Sequence, residues 1–202
     1  MGTIEELERG RVFEDQVLEG IEASELDLSG KDFVRCTFRK VKLPESLWKG
    51  AHLEDCTFED CDLTRMHPAS LALSGVDFRG CKLLGVDWAG VGRNPQVTFE
   101  DCDLRYASFV ALGLRRTPFL RCKAREANFI DTDLTEADFE GSDLTGCVFN
   151  RATLAKTRLA GAQGVFLDPA RNRVRDAQVS VECAVLLALS FGLQVEGYED
   201  VK

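Results

Sequence analysis

The sequence predicts an all-β fold: a right-handed, four-sided (quadrilateral) β-helix closed at its C-terminal end by a capping helix. Three observations predict it. Apolar residues recur at every fifth position, residues twenty positions apart are chemically alike, and the apolar tail 165–202 reads as helix instead of repeat. Neither the helical period of about 3.6 nor the strand period of 2 generates a strict five, so the chain is an internal repeat before it is anything else.

From Leu28 the count runs through Phe33, Phe38, Leu43, Trp48, Leu53, Phe58, Leu63, Pro68, Leu73, Phe78, Leu83 and Trp88. It slips by one residue and resumes at Phe99, Leu104, Phe109, Leu114 and Phe119, reaching Leu159. The slip places a bulge in AGVGRNPQV (89–97), whose Gly90, Gly92 and Pro95 are loop residues, and it explains why TFEDCDL occurs at both 57–63 and 98–104. Two places before each apolar centre sits a small residue, often Cys or Ala, which also points inward; the place between is often Asp, and the last place is often Gly, which suits a corner. Columns such as Phe38, Phe58, Phe78, Phe99, Phe119, Phe139 stay homogeneous only if four repeats close one coil. Stacked coils then pair like parallel strands about 4.8 Å apart, with the usual crossover handedness, giving a rod of roughly 35 Å.

The segments divide as 1–26, an acidic stretch that is either a loose first coil or an arm; 27–164, the repeat; and 165–202, a cap and dimerisation segment. In the tail, Ser180 starts a helix whose one face holds Val181, Ala184, Val185, Ala188 and Phe191, with Leu186 and Leu189 on another side. A helix so apolar all round must bury a second face, which makes Val185, Leu186, Leu189 and Phe191 the candidate homodimer interface.

The net charge of −9 is unevenly placed: −6 in 1–26, −1 in 27–164 and −2 in 165–202. Direct binding to nucleic acid, which needs clustered Lys and Arg, is disfavoured, and the basic cluster Arg115, Arg116, Arg121, Lys123, Arg125 is the sole exception. Clustered acids could instead imitate nucleic acid. Glu126, Asp131, Asp133, Glu136, Asp138, Glu140 and Asp143 fall in a stretch without Lys or Arg, just before the tail, so a dimer would present two such blocks beside its axis. A second charged column, Lys42, Asp62, Lys82, Asp103, Lys123, Asp143, alternates in sign and reads as a surface ion ladder.

No apolar run reaches the roughly 18 residues of a membrane span, and the acidic N-terminus is unlike a secretory signal, so a cytoplasmic protein with no membrane contact is expected. Seven of eight cysteines occupy the small inward place and read as core thiols, not metal ligands; His52 and His67 are outward. With no nucleophile beside a base and no phosphate-cradling glycine loop, the expectation is a binding protein without catalytic residues or cofactors.

This pattern, seen most typically in ANFIDTDLTEADFEGSDLTG (127–146), resembles the pentapeptide repeat family and its right-handed quadrilateral β-helix. The Cys-rich LEDCTFEDCDL (53–63), the CKLLGVDW stretch (81–88) before the register break, and the tail 174–197 resemble the topoisomerase-protecting branch, the albicidin-resistance and quinolone-resistance proteins. The resemblance implies a homodimeric, DNA-mimicking partner of DNA gyrase or a related type II topoisomerase that protects it from a poison. A plain interaction scaffold is the alternative, and the long projecting loops of the quinolone-resistance members are lacking.

Overall fold

The computed structural model describes residues 4–198, so the outermost ends of the acidic segment and of the tail fall outside the described residues. A short helix, α1 (Ile4–Arg9), precedes ten strands: β1 (Val12–Glu14), β2 (Val17–Glu19), β3 (Asp32–Val34), β4 (Thr37–Arg39), β5 (His52–Glu54), β6 (Thr57–Glu59), β7 (Ala72–Ser74), β8 (Val76–Arg79), β9 (Val97–Glu100) and β10 (Phe119–Leu120). Helix α2 (Val181–Ser190) follows. Every strand pairing is parallel, in two sheets ordered β1-β3-β5-β7 and β10-β9-β8-β6-β4-β2. The architecture is a parallel β-solenoid with a short C-terminal helix.

Register proves the four-repeat coil. Phe38 pairs with Phe58, Phe58 with Phe78, Phe78 with Phe99 and Phe99 with Phe119. The same step of twenty joins isolated bridges on the other two sides, such as Lys42 to Asp62 and Leu47 to His67. The slip is confined to the loop. Ser70 N–H still reaches the Gly90 carbonyl, twenty residues on, whereas Val76 pairs with Val97, twenty-one residues on.

Strand-like alternation puts the centre and the small residue inside, and the rings stack coil upon coil. Phe38 and Phe58 lie 4.3 Å apart between centroids and Phe58 and Phe78 4.9 Å apart, with planes within 18° of parallel. Leu104, Phe119 and Phe139 are fully buried. Each such side chain contributes on the order of 1.5–3 kcal/mol, set against the ordering of its backbone.

The corners depart from expectation. Among the described residues, twenty non-glycine residues adopt φ between 50° and 61°, including Asp15, Arg35, Asp55, Ala111, Glu126 and Arg151. Glycine relieves a corner, but pairing on both sides holds residues with a Cβ in the left-handed region.

The first coil is in register from Val12, because β1 and β2 pair with β3 and β4 and bury Phe13 and Leu18. Its open edge is covered by α1, which inserts the fully buried Leu7. Lys31, at an inward place, donates from Nζ to the carbonyls of Glu8 (3.0 Å) and Gly10 (2.6 Å) at the end of α1. Arg11 and Gln16 occupy inward places by phase but are exposed.

Candidate functional site

Each repeat displays three outward positions, so the surface is a grid in which any side chain meets others twenty residues away. This grid disperses the acidic run 126–143, which is nearly one coil long. Asp133, Asp138 and Asp143 sit on three successive sides, bridged to Gly113, Pro118 and Lys123 below them, while Glu126, Asp131 and Glu136 occupy left-handed corners. The run holds no base of its own, yet adjacent coils supply one to most of it. Arg151 grips Asp131 (2.6 Å), Arg115 meets Asp133 (3.0 Å), Arg116 meets Glu136 (2.7 Å), Arg158 meets Asp138 (3.0 Å) and Arg125 approaches Asp143 (3.8 Å). Of the seven acids, Glu126 and Glu140 are the two without an ion pair. Arg151 and Arg116 hold the Asp131 and Glu136 carboxyls below the usual carboxylate range through their hydrogen bonds.

The same pairs neutralise the basic cluster, since Arg121 binds Glu100 and Asp101 and Lys123 alone stays without an ion pair. The alternating column is stacked as expected, but Lys82–Asp62 (3.3 Å) is its single closed rung. Lys42 turns down to Glu22 (2.7 Å), and Asp103 is taken by Arg105 (2.6 Å).

Uncompensated acids lie elsewhere. Glu54, Asp55 and Asp60 are exposed and make no side-chain hydrogen bond or ion pair, although Glu59 between them binds Arg39 (2.8 Å). Arg35, below Asp55, is turned instead to Glu14 and Asp15. The two TFEDCDL copies therefore differ in effect: Gly80 stacks on Asp60, whereas Arg121 stacks on Asp101. Reading each acid with its neighbours twenty residues away would have found this.

Inward cysteines do more than fill space. Cys61, Cys81, Cys102 and Cys122 donate from Sγ to the carbonyls of Phe38, Phe58, Phe78 and Phe99, at 3.2–3.5 Å. Ser142 continues the column by donating to the Phe119 carbonyl (2.6 Å), as Thr132 and Thr157 do elsewhere for Phe109 and Leu134. Those hydroxyls at the same inward place are the sequence signal for a donor role. The neighbouring Cys122 thiol pushes Cys102 up to about 12, and burial pushes Cys147 up to about 12, so both remain thiols at neutral pH. Among the described residues no group of His, Cys, Asp or Glu is placed to hold a metal ion, and no helix is long and apolar enough to cross a membrane.

The tail helix begins where expected: Ser180 Oγ accepts the Cys183 N–H at 3.2 Å. Which of its faces is seated was left open by the sequence. Cys183 and Val185 are buried, while Val181 (80% exposed) and Phe191 (63%) face outward. Of the candidate dimer residues, Val185 is therefore covered by its own chain, Leu189 is half-buried, and Leu186 and Phe191 are exposed. Helix phase alone could not say which stripe meets the last coil, because both are apolar.

A family model described as pentapeptide repeats matches residues 32–65, 114–151 and 132–163. The quinolone resistance pentapeptide repeat protein QnrB96 of Scandinavium goeteborgense is 27% identical over 121 residues, and the match spans 53% of this chain and 56% of that relative. Among solved structures, a trypsin-treated variant of QnrB1, a plasmid-mediated fluoroquinolone resistance protein, superposes with a TM-score of 0.64 at 21% identity, covering 92% of this chain and 90% of that one. A second trypsin-treated variant gives 0.61 at 17% identity, covering 91% and 99%. These structural likenesses establish the shared fold. With its five-residue count and four-repeat coils, the chain carries the repeats of the pentapeptide repeat family over residues 32–65 and 114–163 and shares the fold of its solved members.

Proposed function

We propose that the chain binds DNA gyrase or a related type II topoisomerase as a DNA-mimicking homodimeric rod and protects the enzyme from a poison. The observation that carries this reading is the likeness to named quinolone-resistance proteins in both sequence and fold, on a chain of net charge −9. A stacked solenoid is stiff along its axis, and its charges sit on a fixed grid, as phosphates do on a duplex. Among the acids available to a partner, because no arginine pairs with them, are Glu54, Asp55 and Asp60, together with Glu126 and Glu140. Acids such as Asp131 and Asp138 would have to be prised from Arg151 and Arg158.

The homodimer rests on the apolar end, where Val181, Phe191 and Leu193 are 80%, 63% and 59% exposed and Leu186 is 38% exposed. Such a patch on a rod end is covered by a second copy more readily than by water. Because Phe191 is exposed, Phe191→Asp should leave circular dichroism unchanged and yield a monomer in sedimentation equilibrium. A variant that sediments as the parent does would remove this end from the interface.

The test of function is supercoiling and poison-stabilised DNA cleavage by purified gyrase, with the chain titrated in. Reduced cleavage in the presence of a fluoroquinolone is expected. Neutralising Glu54, Asp55 and Asp60 together (to Gln, Asn and Asn) should weaken the effect about tenfold and flatten its salt dependence. Gyrase activity that is indifferent to the chain at every concentration would instead favour a plain interaction scaffold.

A further inference from the structure

Positive charge collects at the opposite end of the rod from the acidic segment. Residues 151–176 hold six bases (Arg151, Lys156, Arg158, Arg171, Arg173, Arg175) and two acids (Asp168, Asp176), a balance of +4 in a chain of −9. Three of these arginines surround a groove of about 450 Å³ in which Arg151 and Thr153 lie beneath Arg171 and Arg173.

The groove is built, not incidental. Arg151 N–H donates to the Arg171 carbonyl (2.9 Å), stacking the two corners, and Thr153 bridges Arg173. Between the upper two arginines, the buried Asn172 locks the coils together. Its Oδ1 accepts the Ala152 N–H (3.0 Å) and its Nδ2 donates to the carbonyls of Phe149 (2.9 Å) and Asp168 (3.0 Å). The guanidinium groups keep donors in reserve. Arg151 uses Nε and Nη2 on Asp131, which leaves Nη1; Arg171 offers only Nε to Asp168, at 3.3 Å; Arg173 makes no ion pair.

We propose that this groove binds a phosphate group. A carboxylate has two coplanar oxygens, which one arginine fork satisfies, whereas a phosphate offers oxygens in three directions to three forks. The phosphate could be the terminal group of a small ligand or a phosphodiester of duplex DNA, and the chemistry is shared. The inference does not depend on the gyrase reading.

The test follows arginine Nε–H signals of the full chain in ¹H–¹⁵N spectra during titration with inorganic phosphate, pyrophosphate or a short duplex, against chloride at matched ionic strength. Saturable shifts at Arg151, Arg171 and Arg173 are expected with phosphate. Arg173→Glu and Arg171→Gln should each weaken binding about tenfold or more, while Arg125→Gln, on another coil, should not. Both altered side chains are exposed, and an unchanged thermal midpoint without phosphate certifies the fold. A duplex that competes with phosphate assigns the source to a nucleic-acid backbone; a duplex without effect assigns it to a small phosphorylated ligand. Shifts no different from those of chloride, or equal affinity in the Arg173 and Arg171 variants, would overturn the proposal.

Discussion

Two tryptophans lie on the same side of the solenoid, forty residues apart, and only one has a hydrogen-bond acceptor. Trp48 Nε1 donates to Ser46 Oγ at 2.8 Å, and that hydroxyl donates onward to the Leu43 carbonyl at 2.7 Å. Trp88 Nε1 is buried without a partner, because the place of Ser46 is taken by Val86. A buried polar group left unpaired costs about 1–3 kcal/mol, so Ser46→Ala should destabilise by that amount in urea unfolding. Val86→Ser should stay within about 1 kcal/mol of the parent, since the new hydroxyl serves Trp88 and offsets the apolar burial given up. Val41→Ser, a matched site with no tryptophan above it, is the control. Equal losses at Val86 and Val41 would show that the indole gained nothing. That Trp48 and Trp88 are inward was legible from the five-residue count. Their unequal hydrogen bonding was not, since it depends on one residue two places away.

Elements are fixed at both ends of the rod by contacts that the repeat does not encode. α1 is too short to persist alone, and Lys31 secures it by capping the carbonyls of Glu8 and Gly10, a cation at a helix C-terminus. Lys31→Met should cost about 1–3 kcal/mol and expose residues 4–9 to hydrogen exchange while the middle coils stay protected. Loss of protection along the whole rod would mean that α1 and the solenoid unfold as one. The sequence left 1–26 open between coil and arm because Arg11 and Gln16 interrupt the inward pattern; pairing of β1 with β3 overrides them. At the other end, α2 was legible as an element from Ser180 and its apolar run. Its seating was not, since stripes of similar hydropathy compete for the last coil.

Over the whole molecule, ion pairs across coils are mostly exposed and contribute only about 0–1 kcal/mol each, so they hold register more than they add stability. Their sum is still visible through pH. Asp15, Asp131 and Glu136 have carboxyls held below their usual range, each first by its hydrogen bond to Arg35, Arg151 or Arg116. A depressed folded value stabilises the fold above the unfolded value and loses that contribution as pH falls through the folded one. Thermal midpoints should therefore be flat from neutral to about pH 5 and fall below about pH 4, less steeply in an Arg116→Gln, Arg151→Gln double variant. A midpoint unchanged into strong acid would deny the pairs any net effect. The inward surface of the rod was legible because its signal is the period itself. Its outward charge was not, because most acids that make an ion pair, such as Asp131 with Arg151 and Glu136 with Arg116, have their counterion about a full coil away, beyond any short window read along the chain.

The loop at 89–97, where register passes from twenty to twenty-one, gives the rod a property akin to a reading frame. One residue inserted at any other corner would turn every later phenylalanine from inside to outside until something restored the phase. Removing one residue from the stretch between Gly92 and Gln96 should act as its suppressor, leaving only the coils between the two lesions garbled.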